Sequence, residues 1–171
     1  MKITLKPLGD IAEETMEKLK DRVGSIFHCA VETGAGLGDL AQAYDPERRQ
    51  YHSSTLLASL GKAEREERVV GIADVDLYVP RLHFVFGEAD IGSGTAIVSL
   101  YRLRQEYYGL DPDEALVLER GTKEVVHELG HTFGLGHCPN DNCVMHFSNS
   151  LADTDVKEVH FCDKCRPKII L

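Results

Sequence analysis

Nowhere in the 171 residues do about 20 apolar side chains follow one another, the length that spans a bilayer as a helix. No membrane-spanning helix and no membrane partner are therefore expected. The stretch from Met1 to Lys20 also lacks the unbroken apolar core of a secretory signal. The expectation is a cytoplasmic protein without a leader or a zymogen segment. Positive charge is short too, with 19 Lys and Arg against 28 Asp and Glu and a formal net charge of −9. Nucleic-acid binding rests on clustered cations that displace phosphate counterions, so no nucleic-acid partner is expected. Internal repeats and low-complexity linkers are missing. With 43% hydrophobic and 27% charged residues, the chain suits one well-cored domain, favoured as a monomer.

Cysteine is sparse, but its placement is not random. Four of the five form two close pairs, Cys138 with Cys143 and Cys162 with Cys165. C-x4-C followed by C-x2-C is the spacing of a tetrahedral four-thiolate zinc site, and in a reducing compartment such pairs read as ligands rather than disulfides. Cys29 stands apart among residues of strand character and reads as a small core hydrophobe.

Directly before Cys138 runs H-E-L-G-H-T-F-G-L-G-H, His127 to His137. On a helix, the i,i+4 spacing of His127 and His131 puts two imidazoles on one face, with Glu128 beside them. Gly134 can take the left-handed conformation that ends a helix and turns the chain, returning His137 toward the same metal. Three neutral imidazoles leave a fourth zinc position open for water, the mark of a catalytic rather than a structural site. Met145 follows, completing the extended pattern. His52, His83, His146 and His160 read as surface or core histidines.

Joined as H-C-x4-C-x-M, the segment His127 to Cys165 closely resembles the archaemetzincins, metzincin-like zinc metallopeptidases; the resemblance covers about a quarter of the chain. It implies that His127, His131 and His137 bind a catalytic zinc, that Glu128 is the general base of peptide-bond hydrolysis, and that Met145 is the Met-turn residue. It further implies that Cys138, Cys143, Cys162 and Cys165 hold a second, structural zinc, giving two zinc ions per chain and a peptide or protein substrate. Some metzincins carry a tyrosine two residues after the Met-turn methionine, as a metal ligand or oxyanion donor. Phe147 stands there in this chain and can do neither. The alternative is a zinc-binding interaction module with an idle H-E-x-x-H helix; the acidity of the chain and the intact Glu128 weigh against it.

Taken in order, the chain predicts a strand at Lys2 to Lys6, a turn with Asp10 as cap, and an amphipathic helix from Ile11 to Val23. A strand at Ser25 to Val31 and a glycine-rich connection from Glu32 to Gly38 follow; the connection's G-A-G-L-G fails the spacing of a dinucleotide loop. A second helix is expected from Pro46 to Leu60, ended by Gly61. Val69 to Val79 reads as a central strand, Leu82 to Phe86 as a short extended segment and Thr95 to Leu100 as a further strand; by chain order the metzincin resemblance implies that Leu82 to Phe86 is the antiparallel edge strand over the cleft, with His83 and Phe84 on opposite faces. Asp111-Pro112-Asp113-Glu114 is a helix start with Asp111 as N-cap, leading into one helix from near Asp113 through the zinc motif. A short helix near Asp153 to Val159 completes the list. The fold expected is an α/β metzincin-type domain over 1–171: a twisted mixed sheet with helices in 1–136, and a small zinc-clamped portion in 137–171 that is held by metal rather than by a core.

Overall fold

Alternation at the amino terminus makes Lys2–Leu8 a strand (β1), with Ile3 and Leu5 buried on one face and Leu8 on the other. The computed structural model describes residues 1–169 and continues with helix α1 (Glu13–Phe27) and strand β2 (Ala30–Thr33). Next come β3 (Tyr44–Asp45), β4 (Gln50–His52), helix α2 (Ser53–Ser59), β5 (Glu67–Ala73), β6 (Leu77–Tyr78), β7 (Gly87–Asp90) and β8 (Thr95–Ser99). Helices α3 (Glu114–Thr132) and α4 (Leu151–Val156) close the list. Five strands form one mixed sheet in the order β2-β1-β5-β8-β7, all parallel except β7, which runs antiparallel to β8 at the edge. A second, smaller sheet has the order β3-β4-β6.

Both faces of the large sheet are covered, which is why β5 and β8 read as continuous apolar runs rather than alternating ones. On one face Ile3, Leu5, Val70, Ile72 and Val98 meet Met16, Leu19 and Val23 of α1 and Val117, Val125 and Leu129 of α3. On the other, Leu8, Ala73 and Ile97 meet Leu56, Leu57 and Leu60 around α2 and Leu77 of the small sheet. Each fully buried Val, Leu or Ile contributes about 1.5–3 kcal/mol, so this sandwich fixes the position of α3 against β7 and β8.

Several expected boundaries move, each for a local reason. Helix α1 is capped at Ala12 rather than Asp10, whose side chain is exposed, and it runs past Val23 because Phe27, four residues on, continues the buried face against Phe133 and Phe161. His28 then ends it in the left-handed region, which leaves Ala30–Thr33 and not Ser25 to Val31 as the strand. The helix expected from Pro46 is confined to Ser53–Ser59, because the Asp45 carboxylate accepts from the Glu47 and Arg48 amides and turns the chain into a hairpin. The run Val69 to Val79 splits between β5 and β6, where Asp74 and Asp76 pair with Arg104 and Arg102 as the chain leaves the large sheet. The N-cap of α3 is Asp113, accepting from the Leu116 amide, and not Asp111. The single helix through Gly121 and Thr122 holds, since Gly121 is where α3 lies close to Leu100. Helix α4 starts earlier than expected, after a capping box at Ser150 and Asp153.

The edge strand is the most consequential shift. It is Gly87–Asp90, while Leu82 to Phe86 is irregular. The carbonyl of Leu82 is taken by the Arg48 guanidinium at 2.9 Å, and that of His83 by Gln50 Nε2 at 2.8 Å, so these two carbonyls are satisfied by side chains of the β3–β4 hairpin instead of by a strand ladder. Nor does the carboxy-terminal portion lack a core: Val144 and Met145 are fully buried in the main cluster. Cys29 is half-buried against that cluster, as a small apolar group should be.

Candidate active site

The last two turns of α3 present His127, Glu128 and His131 to a cleft of about 410 Å³. A backbone carbonyl can only accept a hydrogen bond, so the bonds from His127 Nδ1 to the Val144 carbonyl and from His131 Nδ1 to the Leu135 carbonyl, both 2.7 Å, fix the proton on Nδ1 in each ring. The two Nε2 atoms, left as bare lone pairs, face each other at 3.0 Å. Burial, with Lys157 and His131 adding their charge, holds His127 well below its ordinary pKa and keeps it neutral.

Helix α3 ends in a Schellman turn. The Leu135 amide bonds to the Gly130 carbonyl at 3.2 Å and the Gly134 amide to the His131 carbonyl at 2.9 Å, with Gly134 at φ +88°. That reversal carries His137 back, its ring centroid 5.4 Å from that of His127 and 4.9 Å from that of His131. The three ligand nitrogens lie within 4.8 Å of one another. A tetrahedral zinc with bonds of about 2.0–2.1 Å places its nitrogens about 3.3 Å apart, so the trio fits that ion.

Glu128 is buried beside His127, and burial first, then the charge of Glu124, pushes its carboxyl well above the usual range. Beneath it lies a pair that the sequence did not reveal. Glu124 Oε1 accepts from Thr154 Oγ1 at 3.0 Å, and the fully buried Lys157 ammonium sits 3.0 Å from the same oxygen as an ion pair without hydrogen-bond direction. Glu124 could have been suspected, being four residues before Glu128 and hence on its face of the helix. Lys157, in a charged stretch after α4, had no distinguishing spacing.

Met145 is fully buried with its sulfur against Gly130, where any side chain on that glycine would collide with it. Phe147 packs its ring 4.7 Å from that of His137 at the cleft, 43% exposed. The opposite wall runs from Leu82 to Ala89 and includes His83. Phe84 in that wall is backed by Arg102 at 4.4 Å, itself held by Asp76 through two bonds of 2.6 and 2.7 Å. His52 and His160 do not line the cleft; His146 hydrogen-bonds through Nδ1 with the Cys138 carbonyl at 3.1 Å.

The four thiols converge as well. Cys138, Cys143, Cys162 and Cys165 are free, with their sulfurs within 4.8 Å of one another and Cys138 Sγ 3.8 Å from Cys162 Sγ. A tetrahedral zinc with bonds of about 2.3 Å sets its sulfurs about 3.8 Å apart, whereas a disulfide needs about 2.05 Å. Burial works against ionising Cys162, yet the Lys164 and Cys165 amides and the neighbouring thiols outweigh it and hold the group down to about 6, while burial pushes the Cys165 and Cys143 thiols up, so without a metal the four share their ionisation unequally. A thiolate is what zinc requires.

The relatives of this chain agree with that chemistry. Residues 39–170 match the model of peptidase family M54. An archaemetzincin from Methanocaldococcus jannaschii is 41% identical over 169 residues, spanning 99% of this chain and 93% of that protein. Among solved structures, a zinc-dependent peptidase from Methanocorpusculum labreanum superposes with a TM-score of 0.89 at 30% identity, over 98% of this chain and 100% of that one. The archaemetzincin of Archaeoglobus fulgidus, crystallised with malonate, gives 0.86 at 39% identity, over 99% of this chain and 100% of that one. With its model matched over residues 39–170 and an archaemetzincin aligned to nearly the whole chain at 41% identity, the chain belongs to peptidase family M54, the archaemetzincins.

Proposed function

We propose that this zinc metallopeptidase binds two zinc ions per chain, one catalytic at His127, His131 and His137 and one structural at Cys138, Cys143, Cys162 and Cys165, with Glu128 as general base. The observation that carries the reading is the convergence of bare Nε2 atoms beside a buried carboxylate in one cleft. Zinc, when bound, supplies Lewis-acid polarisation of the scissile carbonyl and favours ionisation of the attacking water. Glu128 takes the proton that water loses and passes it to the departing amine as the C–N bond breaks, so it ends the cycle as it began.

The free edge of β7 offers main-chain donors and acceptors to an extended peptide laid along the cleft. Phe147 has no donor, so it supplies nothing to the charge that develops on the carbonyl oxygen. Residues 1–171 act as one domain in this reading, with 137–171 as the clamp around the Met-turn, in a monomeric cytoplasmic enzyme. No helix among the described residues is long and apolar enough to cross a membrane.

Glu128→Ala tests the assignment without touching a ligand. The variant should retain both metals by elemental analysis while turnover of a mixed peptide pool falls at least 100-fold, in the range general-base removal produces. Parent-like turnover would remove Glu128 from the reaction, and a reproducible single zinc would remove one of the two sites.

A further inference from the structure

Gly87 opens β7 and is paired in register with Val98 of β8. A glycine is costly there: a strand gains nothing from it, and its freedom of backbone is wasted unless φ is positive or something lies close. Gly87 is not among the residues with positive φ. Close approach is the remaining reason, and the structure shows to what. A methyl carbon built on Gly87 would lie 2.7 Å from Glu128 Cγ, 2.8 Å from Glu128 Oε1 and 2.7 Å from the Ile97 carbonyl oxygen. All three separations are shorter than non-bonded atoms tolerate.

We propose that Gly87 is a positioning residue for Glu128: the bare backbone at the start of the edge strand is the surface against which the glutamate side chain is seated, and any side chain there displaces it. The proposal rests on Glu128 being the base, and adds what sets its place. On one side Glu128 is fixed by α3, whose neighbouring turns are packed against β8; on the other it meets β7. Because β7 is also the edge available to an extended peptide, the strand that would register the substrate and the group that would handle its proton share one contact. Misplacement of a reacting group by about 1 Å costs on the order of 100-fold in rate.

The Ile97 oxygen is a competing explanation, since it would make Gly87→Ala a plain strand defect. A double-mutant cycle on the zinc-loaded protein separates the two. Gly87→Ala is compared with the parent, and the same change is compared within Glu128→Ala, where both side-chain atoms in question are gone. Urea unfolding is read in all four proteins. The midpoint should fall clearly in the parent background and by less in the Glu128→Ala background; a single variant that fails to fold while the double variant folds is the same result in stronger form. Equal falls, or failure of both to fold, would show that only Ile97 is met and would overturn the proposal. In turnover of the peptide pool, Gly87→Ala should lower kcat about 100-fold with KM little changed and both metals retained. An unchanged kcat would overturn it equally. Turnover surviving in Glu128→Ala alone is a different failure, because it strikes the base assignment and leaves the contact measured by unfolding intact.

Discussion

The two candidate metal centres are built on opposite plans. The histidine trio is local: its ligands span His127 to His137, two of them sit on one helix, and a single Schellman turn delivers the third. The thiol cluster is made of two pieces of chain, Cys138 with Cys143 and Cys162 with Cys165, from a region where the only α-helix among the described residues is the six-residue α4. A sheet buried on both faces supports the first site, whereas the second rests at the margin of that core, with Cys138, Cys143 and Cys165 buried and Cys162 half-buried. The lesson is that removing a ligand ion should be survivable at the histidines and disruptive at the thiols, because burial holds α3 along its length while Cys162 and Cys165 lie in a segment that, among the described residues, has no α-helix or strand of its own.

The largest expected effect follows from that contrast. Cys162→Ser with Cys165→Ser should release the structural zinc, whose binding in small metal domains is worth on the order of 10 kcal/mol, and loosen the chain beyond His137 while the large sheet persists. Cys138 adjoins His137, and its amide donates to the Met145 carbonyl at 2.9 Å, so the loosening should reach the Met-turn. Catalytic zinc affinity, read by chelator competition, should fall about 10–100-fold although no imidazole was altered. Equal affinities, with the thiol-bound zinc demonstrably gone, would mean that the centres are independent.

The next effect in size lies where the two regions meet. Lys157 comes from the ligand-built segment, and its one buried counter-charge, Glu124, comes from α3. Lys157→Met strands that carboxylate and should cost about 3–5 kcal/mol in urea unfolding, and adding Glu124→Gln should recover a large part, because a buried ion pair costs most when half of it is removed. No recovery in the double variant would show that the lysine acts through packing instead of charge. The smallest effect is confined to α4. Ser150→Ala deletes the hydroxyl that accepts from the Asp153 amide and donates to its carboxylate, and should lower stability by about 0.5–2 kcal/mol with peptide turnover unchanged. A measurable loss of turnover would show that α4 is coupled to the cleft more tightly than the contrast allows.

Legibility in the sequence followed the same division. His127, Glu128, His131, His137 and the four cysteines could be read because their geometry is encoded in short spacings: one helical turn, one glycine reversal, two close thiol pairs. The helix through the zinc motif and the central strands were legible from apolar period and run length. Leu82 to Phe86 reads as a strand but is not one, because the Leu82 and His83 carbonyls are claimed by Arg48 and Gln50, more than 30 residues earlier, and no local pattern reports that. Ser25 to Phe27 looked extended, yet Phe27 fits the next turn of α1, so tertiary burial overrode local preference. Glu124 and Lys157 meet only after the chain has folded around α3. Gly87 carries no local signal, since the atoms that explain it belong to another element.

The arrangement of Arg48 and Gln50 has a consequence for how such a peptidase diversifies. These side chains grip the cleft wall from behind, at the Leu82 and His83 carbonyls, and neither residue lines the cleft. Substitutions there can reset the gap between the wall and the metal helix without altering a ligand, the base or the Met-turn. Substrate range and catalytic competence are then inherited through separate residues, one set in a small three-stranded sheet and the other in a helix and a loop, so that either can drift under selection while the other stays fixed.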